Sequence, residues 1–135
     1  MSTFLCMKHE IVAILAQGGG VIVNTASLAG LRVTPNGSPA YHAAKAGVVH
    51  LTRKAAVDYA EQGVRVHVVA PGLTATERLV SRWSPDELKT MSSEHPMGRP
   101  VTPGEVAAAY VWLCSPEASG ATGLVVPVDG GWYAR

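Results

Sequence analysis

The chain carries almost no charge imbalance: eleven Lys and Arg face ten Asp and Glu, for a formal net charge of +1. A nucleic-acid or anionic-lipid partner would call for an excess of basic residues, and none is present. Cysteine is scarce. Cys6 and Cys114 stand far apart among apolar neighbours and read as buried, reduced thiols rather than a disulfide. No apolar run approaches the roughly 20 residues of a membrane span. The start, MSTFLCMKHEIVAILAQ, hints at a signal peptide, but its apolar stretch IVAILA is short, follows Glu10 and meets no small-residue cleavage site. It reads as an amphipathic helix, and the protein as cytoplasmic. His9, His42, His50, His67 and His95 are scattered, with no metal-ligand spacing to the cysteines. They read as surface or helix-end residues. No repeat or low-complexity tract is found.

What is present is a globular composition. Apolar residues make up 47% of 135, enough for one domain that buries about two-thirds of its unfolded surface. Helical and strand patterns alternate. Residues 4–17 are helical in pattern and end at Gly18-Gly19-Gly20. The β-branched run 21–24 reads as a buried strand. Residues 26–39 form a long loop with turn chemistry at Pro35-Asn36-Gly37. A helix from Pro39 to Gln62 places Ala44, Val48, Leu51, Ala55 and Tyr59 at helical spacing, and Gly63 caps it. Residues 64–70 form a second strand, stopped by Pro71-Gly72. A short helix is expected at 85–91, with Ser84 as its cap. Thr102 and Glu105 form a capping box for a helix that runs to about Cys114. Residues 124–128 form a third strand. Helices between strands imply an α/β fold with a parallel sheet.

The triple glycine is not a phosphate cradle. Such loops lead from a strand into a helix, whose N-terminus faces the anion. Gly18-Gly19-Gly20 leads from a helix into a strand.

In open parallel sheets, ligands bind outside the carboxyl ends of the strands. Asn24-Thr25-Ala26-Ser27, Pro71-Gly72-Leu73-Thr74-Ala75-Thr76 and Asp129-Gly130-Gly131 all leave strands at that end. Tyr41 lies in the first turn of the helix after the Ser27 loop, and Lys45 lies one turn further on the same face. A nearby cation and a helix N-terminus both favour phenolate. A serine hydroxyl opposite could hold a substrate oxygen beside the phenol. The set suits proton exchange with an alcohol or alkoxide. It contains no redox centre, so a hydride carrier must come from elsewhere.

NTASLAG, then YHAAK, then RVHVVAPGLTAT, then VDGG, in that order, resemble the short-chain dehydrogenase/reductase family, in its branch of glucose 1-dehydrogenase-like and cyclic-alcohol dehydrogenases. The resemblance spans about residues 4–132. It implies that Tyr41 is the general acid/base and that Ser27 orients the substrate oxygen. Lys45 would favour the phenolate and hold the nicotinamide ribose. Pro71, Gly72, Leu73 and Thr74 would line the nicotinamide, and Thr76 would bond the cofactor. Residues 73–100 correspond to the substrate loop. His67 stands where many relatives carry asparagine, at a structural position. The implied cofactor is NAD or NADP.

The same resemblance marks what is absent. The TGxxxGxG phosphate loop, the residue that selects NAD or NADP, the NNAG strand and the family's catalytic asparagine are not in the sequence. Residues 1–135 then correspond to the C-terminal half of a doubly wound, Rossmann-like domain, with three neighbouring strands and their flanking helices. Two readings follow. One is an NAD(P)-dependent dehydrogenase or reductase of a small, mostly apolar alcohol or ketone, seen as a truncated chain. The other is a non-catalytic relic or interaction module. The helices at 4–17 and 40–62 are expected to form a homo-oligomer surface, with Ala55, Ala56, Val57 and Ala60 available for packing.

Overall fold

Three runs rich in valine set the architecture. In the computed structural model, which describes residues 2–35 and 37–135, β1 (Gly20–Thr25), β2 (Val64–Pro71) and β3 (Val125–Val128) form one parallel sheet in the order β1-β2-β3. Asn36, the centre of the expected Pro35-Asn36-Gly37 turn, lies outside the described residues. Parallel neighbours need crossover connections. α2 (Pro39–Tyr59) supplies the first. A segment with α3 (Glu77–Val80), α4 (Pro85–Ser92) and α5 (Pro103–Cys114) supplies the second. α1 (Ser2–Ala16) precedes the sheet.

The period-2 alternation of β2 splits the fold into layers. Val64 and Val66 pack with Ile22 of β1 against Met7 and Ile11 of α1 and Ala55 and Ala56 of α2. Val68 and Ala70 continue this face with Ala26 and Val49. Arg65 and His67 point the other way, toward the carboxyl end of α5. The valines of β2 are fully buried, each worth about 1.5–3 kcal/mol relative to exposure. The expected α/β fold with three parallel strands and flanking helices is the fold observed.

Several expectations need correction. Cys6 and Cys114 are exposed. Residues adjacent in a helix point about 100° apart, so apolar sequence neighbours do not share a face: Met7 is buried, whereas Leu5 is 48% exposed. The buried stripe of α2 is Val49, Thr52, Ala55 and Ala56, rotated from the expected set, and Ala44 is exposed. A polar pair explains part of the rotation. Buried Asn24 donates from Nδ2 to Thr52 Oγ1 at 2.9 Å, and Thr52 donates to Val48 O at 2.8 Å. Ala55 and Ala56 therefore face the sheet, leaving Val57 and Ala60 outward. His67 is no surface residue; it is fully buried in β2. The 73–103 segment contains the additional one-turn helix α3, capped by Thr76.

The glycine run does end α1. Gly18 and Gly19 donate to Leu15 O and Ile14 O, both at 3.1 Å, closing the helix at its carbonyl end. Gly19 has φ +129° and lies so close to Gly63 that a Cβ there would meet Gly63 O at 2.7 Å.

Candidate active site

Ser27 follows β1 directly. Its Oγ accepts the Ala29 N–H at 3.2 Å and caps a single 3₁₀ turn at Leu28–Gly30. A hydroxyl used in this way keeps its own proton to donate. Gly30 fixes where that turn sits: a Cβ there would come within 2.6 Å of both C and O of Lys45. Only a glycine lets the Ser27 turn lie directly on the turn of α2 that carries Lys45.

Tyr41 stands at the start of α2, where Ser38 caps the helix and Pro39 begins it. It is 43% exposed. Its hydroxyl has no hydrogen-bond partner among the described residues. Lys45 reaches back to the sheet: its Nζ donates to Thr25 O at 3.1 Å, at the carboxyl end of β1, and lies 5.8 Å from the centroid of the Tyr41 ring. One ammonium thus joins the strand end to the tyrosine face.

The Pro71-Gly72-Leu73 corner is set by β3. Gly72 N–H donates to Val128 O at 2.9 Å, and a Cβ on Gly72 would meet Asp129 Cβ at 2.7 Å. Asp129 is itself buried, accepting the N–H groups of Gly131 and Tyr133 at 2.9 and 2.7 Å. Ser27, Tyr41, Pro71, Gly72 and Leu73 all line one cavity of about 380 Å³. Lys45, Thr74 and Thr76 do not line it. Thr74 Oγ1 donates to Gly72 O at 3.1 Å, and Thr76 Oγ1 accepts the Leu79 N–H at 3.3 Å as the cap of α3.

The rest of the cavity wall was not anticipated residue by residue. Leu28, Ala29, Thr34 and Pro35 come from the loop before α2; Thr90, Met91, Glu94 and His95 come from α4 and the residues after it; Trp132 comes from the end of the chain. Arg32 holds Trp132 in place: it donates to Trp132 O and Arg135 O, both at 3.1 Å, and its guanidinium lies 4.5 Å from the ring centroid. The His95 ring stacks on Trp132 at 5.9 Å. Aromatic Trp132 directly after VDGG was the one available sequence signal. His95 lies in the 73–100 segment expected as the substrate loop but was not singled out within it, and Arg32 had no signal.

A family model described as enoyl-(acyl carrier protein) reductase matches residues 1–133. The chain belongs to the short-chain dehydrogenase/reductase family. It is 46% identical to the cis-4-hydroxycyclohexanecarboxylate dehydrogenase of Sinomonas cyclohexanicum over 96% of this chain and 51% of that protein. The fold superposes on a short-chain dehydrogenase/reductase family oxidoreductase from Burkholderia thailandensis with a TM-score of 0.91 and 32% identity, over 98% of this chain and 52% of the other. A structure of ElxO with NADP bound gives a TM-score of 0.90 and 33% identity, over 98% and 54%. The chain spans about half the length of the relatives it matches. The matched span, residues 1–133, includes Ser27, Tyr41, Lys45 and the corner after β2.

Proposed function

We propose that the chain is the C-terminal half of an NAD(P)-dependent dehydrogenase or reductase acting on a secondary alcohol or ketone carried on a small alicyclic ring. The observation that carries this reading is the shared cavity of Ser27 and Tyr41 at the carboxyl ends of the strands. Its walls are mostly apolar, and its volume of about 380 Å³ suits a compact ring rather than a chain of sugars. The relative named for a hydroxycyclohexane substrate supports the same class.

The residues present fit one end of a nicotinamide cofactor. Lys45, Tyr41 and the backbone at Pro71–Thr74 would hold the nicotinamide and its ribose, and Thr76 would reach the cofactor beyond them. The described residues offer no strand-to-helix glycine turn for the pyrophosphate, which the remaining half of the domain would supply. When bound, the cofactor supplies a hydride acceptor or donor.

This chain's own residues handle the proton and the orientation. In the oxidation direction the Tyr41 oxygen takes the proton of the substrate hydroxyl; in reduction it returns one to the carbonyl oxygen. Ser27 Oγ, with its proton uncommitted, holds the same substrate oxygen. The Lys45 ammonium, fixed on Thr25 O and 5.8 Å from the Tyr41 ring centroid, sets a positive charge between the tyrosine face and the nicotinamide ribose it would hold. Leu28, Leu73, Met91 and Trp132 exclude water from the ring. The outward faces of α1 and α2, with Phe4, Val12 and Val57 exposed, supply the surface for a homo-oligomer.

The test joins this chain to the first half of a family member and measures NAD(P)-linked oxidation of cyclohexanol. Tyr41→Phe keeps the ring and removes the exchangeable proton. Turnover should fall by about 10²–10⁴-fold with cofactor affinity retained, and Lys45→Ala should weaken cofactor binding as well. A Tyr41→Phe enzyme within a few-fold of the parent removes Tyr41 from the chemistry. Without the added half, calorimetric titration with NADH and NADPH should show no tight binding.

A further inference from the structure

His42, next to the proposed acid/base, is held between two segments by both of its ring nitrogens. Nδ1 lies 3.1 Å from Ser38 O. A carbonyl oxygen can only accept, so Nδ1 carries the hydrogen. Nε2 lies 3.2 Å from Thr34 N, whose N–H points at it, and 3.0 Å from Thr34 Oγ1. A backbone N–H can only donate, so Nε2 is bare. One tautomer of the neutral ring satisfies every contact: hydrogen on Nδ1, lone pair on Nε2. The opposite tautomer would set two hydrogens against each other at Thr34 and two lone pairs at Ser38.

These contacts span the loop between the Ser27 turn and α2. Ser38 caps α2, and Thr34 lies four residues before it in the chain. Thr34 and Pro35 are also walls of the cavity that holds Tyr41 and Ser27. Gly37 (φ +106°) closes over the ring so tightly that a Cβ there would come within 3.1 Å of His42 Cε1 and 3.5 Å of Tyr41 Cδ1. The imidazole also meets the Tyr41 ring edge-on, with centroids 6.5 Å apart.

We infer that His42 is a positioning residue: as the Nδ1–H tautomer it latches the Thr34-Pro35 segment onto the start of α2 and thereby sets the fit of the cavity wall beside Tyr41. It touches neither substrate nor cofactor. The latch itself follows from hydrogen-bond chemistry alone; its consequence for substrate fit rests on the alicyclic-alcohol reading above.

The test uses the full 135-residue chain, labelled with ¹⁵N. A long-range histidine nitrogen–proton correlation at neutral pH should show His42 with a protonated Nδ1 and an unprotonated Nε2. A protonated Nε2 with a bare Nδ1, or averaging between the tautomers, overturns the latch. Amide exchange at Thr34 should then rise at least tenfold in both His42→Ala and His42→Phe, the latter keeping an aromatic ring without its nitrogens. Tyr41 N–H, held by Ser38 rather than by the imidazole, should keep its protection. Parent-like Thr34 protection in His42→Phe would mean that ring packing holds the wall, and the inference falls. Cyclohexanone, titrated while the methyl groups of Leu28 and Leu73 are observed, should bind the parent and bind both variants several-fold more weakly. Unchanged affinity in variants whose Thr34 amide exchanges faster overturns the effect on fit. If cyclohexanone binds no form, the alicyclic reading fails, while the tautomer and the exchange rates still decide the latch.

Discussion

The two ends of β2 treat their polar groups in opposite ways. At the amino end, Arg65 donates to Leu113 O at 2.8 Å, Ala118 O at 3.2 Å and Ser115 O at 3.4 Å, collecting the carbonyls where α5 ends. The same guanidinium donates to His67 Nε2 at 3.0 Å. At the carboxyl end, the Tyr41 hydroxyl has no hydrogen-bond partner among the described residues, and the Ser27 hydroxyl, accepting from Ala29 N–H, keeps its proton. The sheet is thus tied down at one end by a β2 side chain, while at the other the hydroxyls of α2 and of the turn after β1 face the cavity. Polar groups satisfied by the protein hold the fold, and the proposed chemistry falls to polar groups left to a ligand. Stability and activity should therefore respond to substitutions at opposite ends of the sheet.

The widest separation should come from comparing Arg65 with Tyr41. Arg65→Ala orphans several carbonyls at once and should cost on the order of 3 kcal/mol in urea unfolding, since hydrogen bonds from charged groups are the stronger class. Tyr41→Phe in the same assay should stay within about 0.5 kcal/mol. Equal losses would erase the contrast between the two ends.

Gly30 tests whether the open end has a structural requirement of its own. Gly30→Ala forces a methyl group against the Lys45 backbone at 2.6 Å and should cost about 1–3 kcal/mol. It should also displace the Ser27 turn from α2. A variant of parental stability whose Ser27 amide resonance is unmoved would show that the contact relaxes easily.

A smaller effect should appear with pH at the tied end. Burial, and then the Arg65 guanidinium beside it, hold the His67 pKa below its usual 6.5. The folded chain keeps this imidazole neutral while the unfolded chain protonates it. Stability is therefore fully present above about pH 6.5 and is lost as pH falls toward the lower folded value. His67→Asn should flatten that part of the curve; an unchanged slope would place the titration elsewhere.

The smallest expected effect lies outside both ends, in the capping box of α5. Hydrogen bonds from Arg99, and then from the Thr102 backbone, lower the Glu105 pKa from 4.5 to about 2. A depressed carboxylate stabilises the fold above its unfolded value, and the contribution is lost between about pH 4.5 and 2. The group is exposed, so the change should be slight. Glu105→Gln should remove it from the acid limb of a thermal-melt series.

Much of the fold was legible because its signals are local. Ser84 and Thr102 are caps because their side chains bond backbone three residues away, and both complete capping boxes. The β-branched runs form strands, and Gly18 and Gly19 end a helix. Burial was less legible. The α2 stripe was misplaced because Thr52 is buried by a partner in another element, Asn24, and no helical period reveals that. Cys6 and Cys114 were misread because apolar neighbours in sequence are not neighbours on a helix face. Within the site, Ser27, Tyr41 and Lys45 stood out by type and spacing. Thr34, His95 and Trp132 reach the same cavity from three separate segments, and none of the three was picked out by residue type and spacing.

The sequence by itself determined the family, the parallel α/β order and the residue types on which the proposed proton exchange rests. Each of these is written in residue type and short-range spacing. The tertiary structure alone decided that Gly30 docks the Ser27 turn onto the Lys45 backbone. It also decided that Arg32 pins Trp132 across one hundred residues of chain, and that Asn24 turns α2 to bury a threonine. These are contacts between elements far apart in sequence, fixed by the packing of the sheet and its helices, and no periodicity along the chain encodes them.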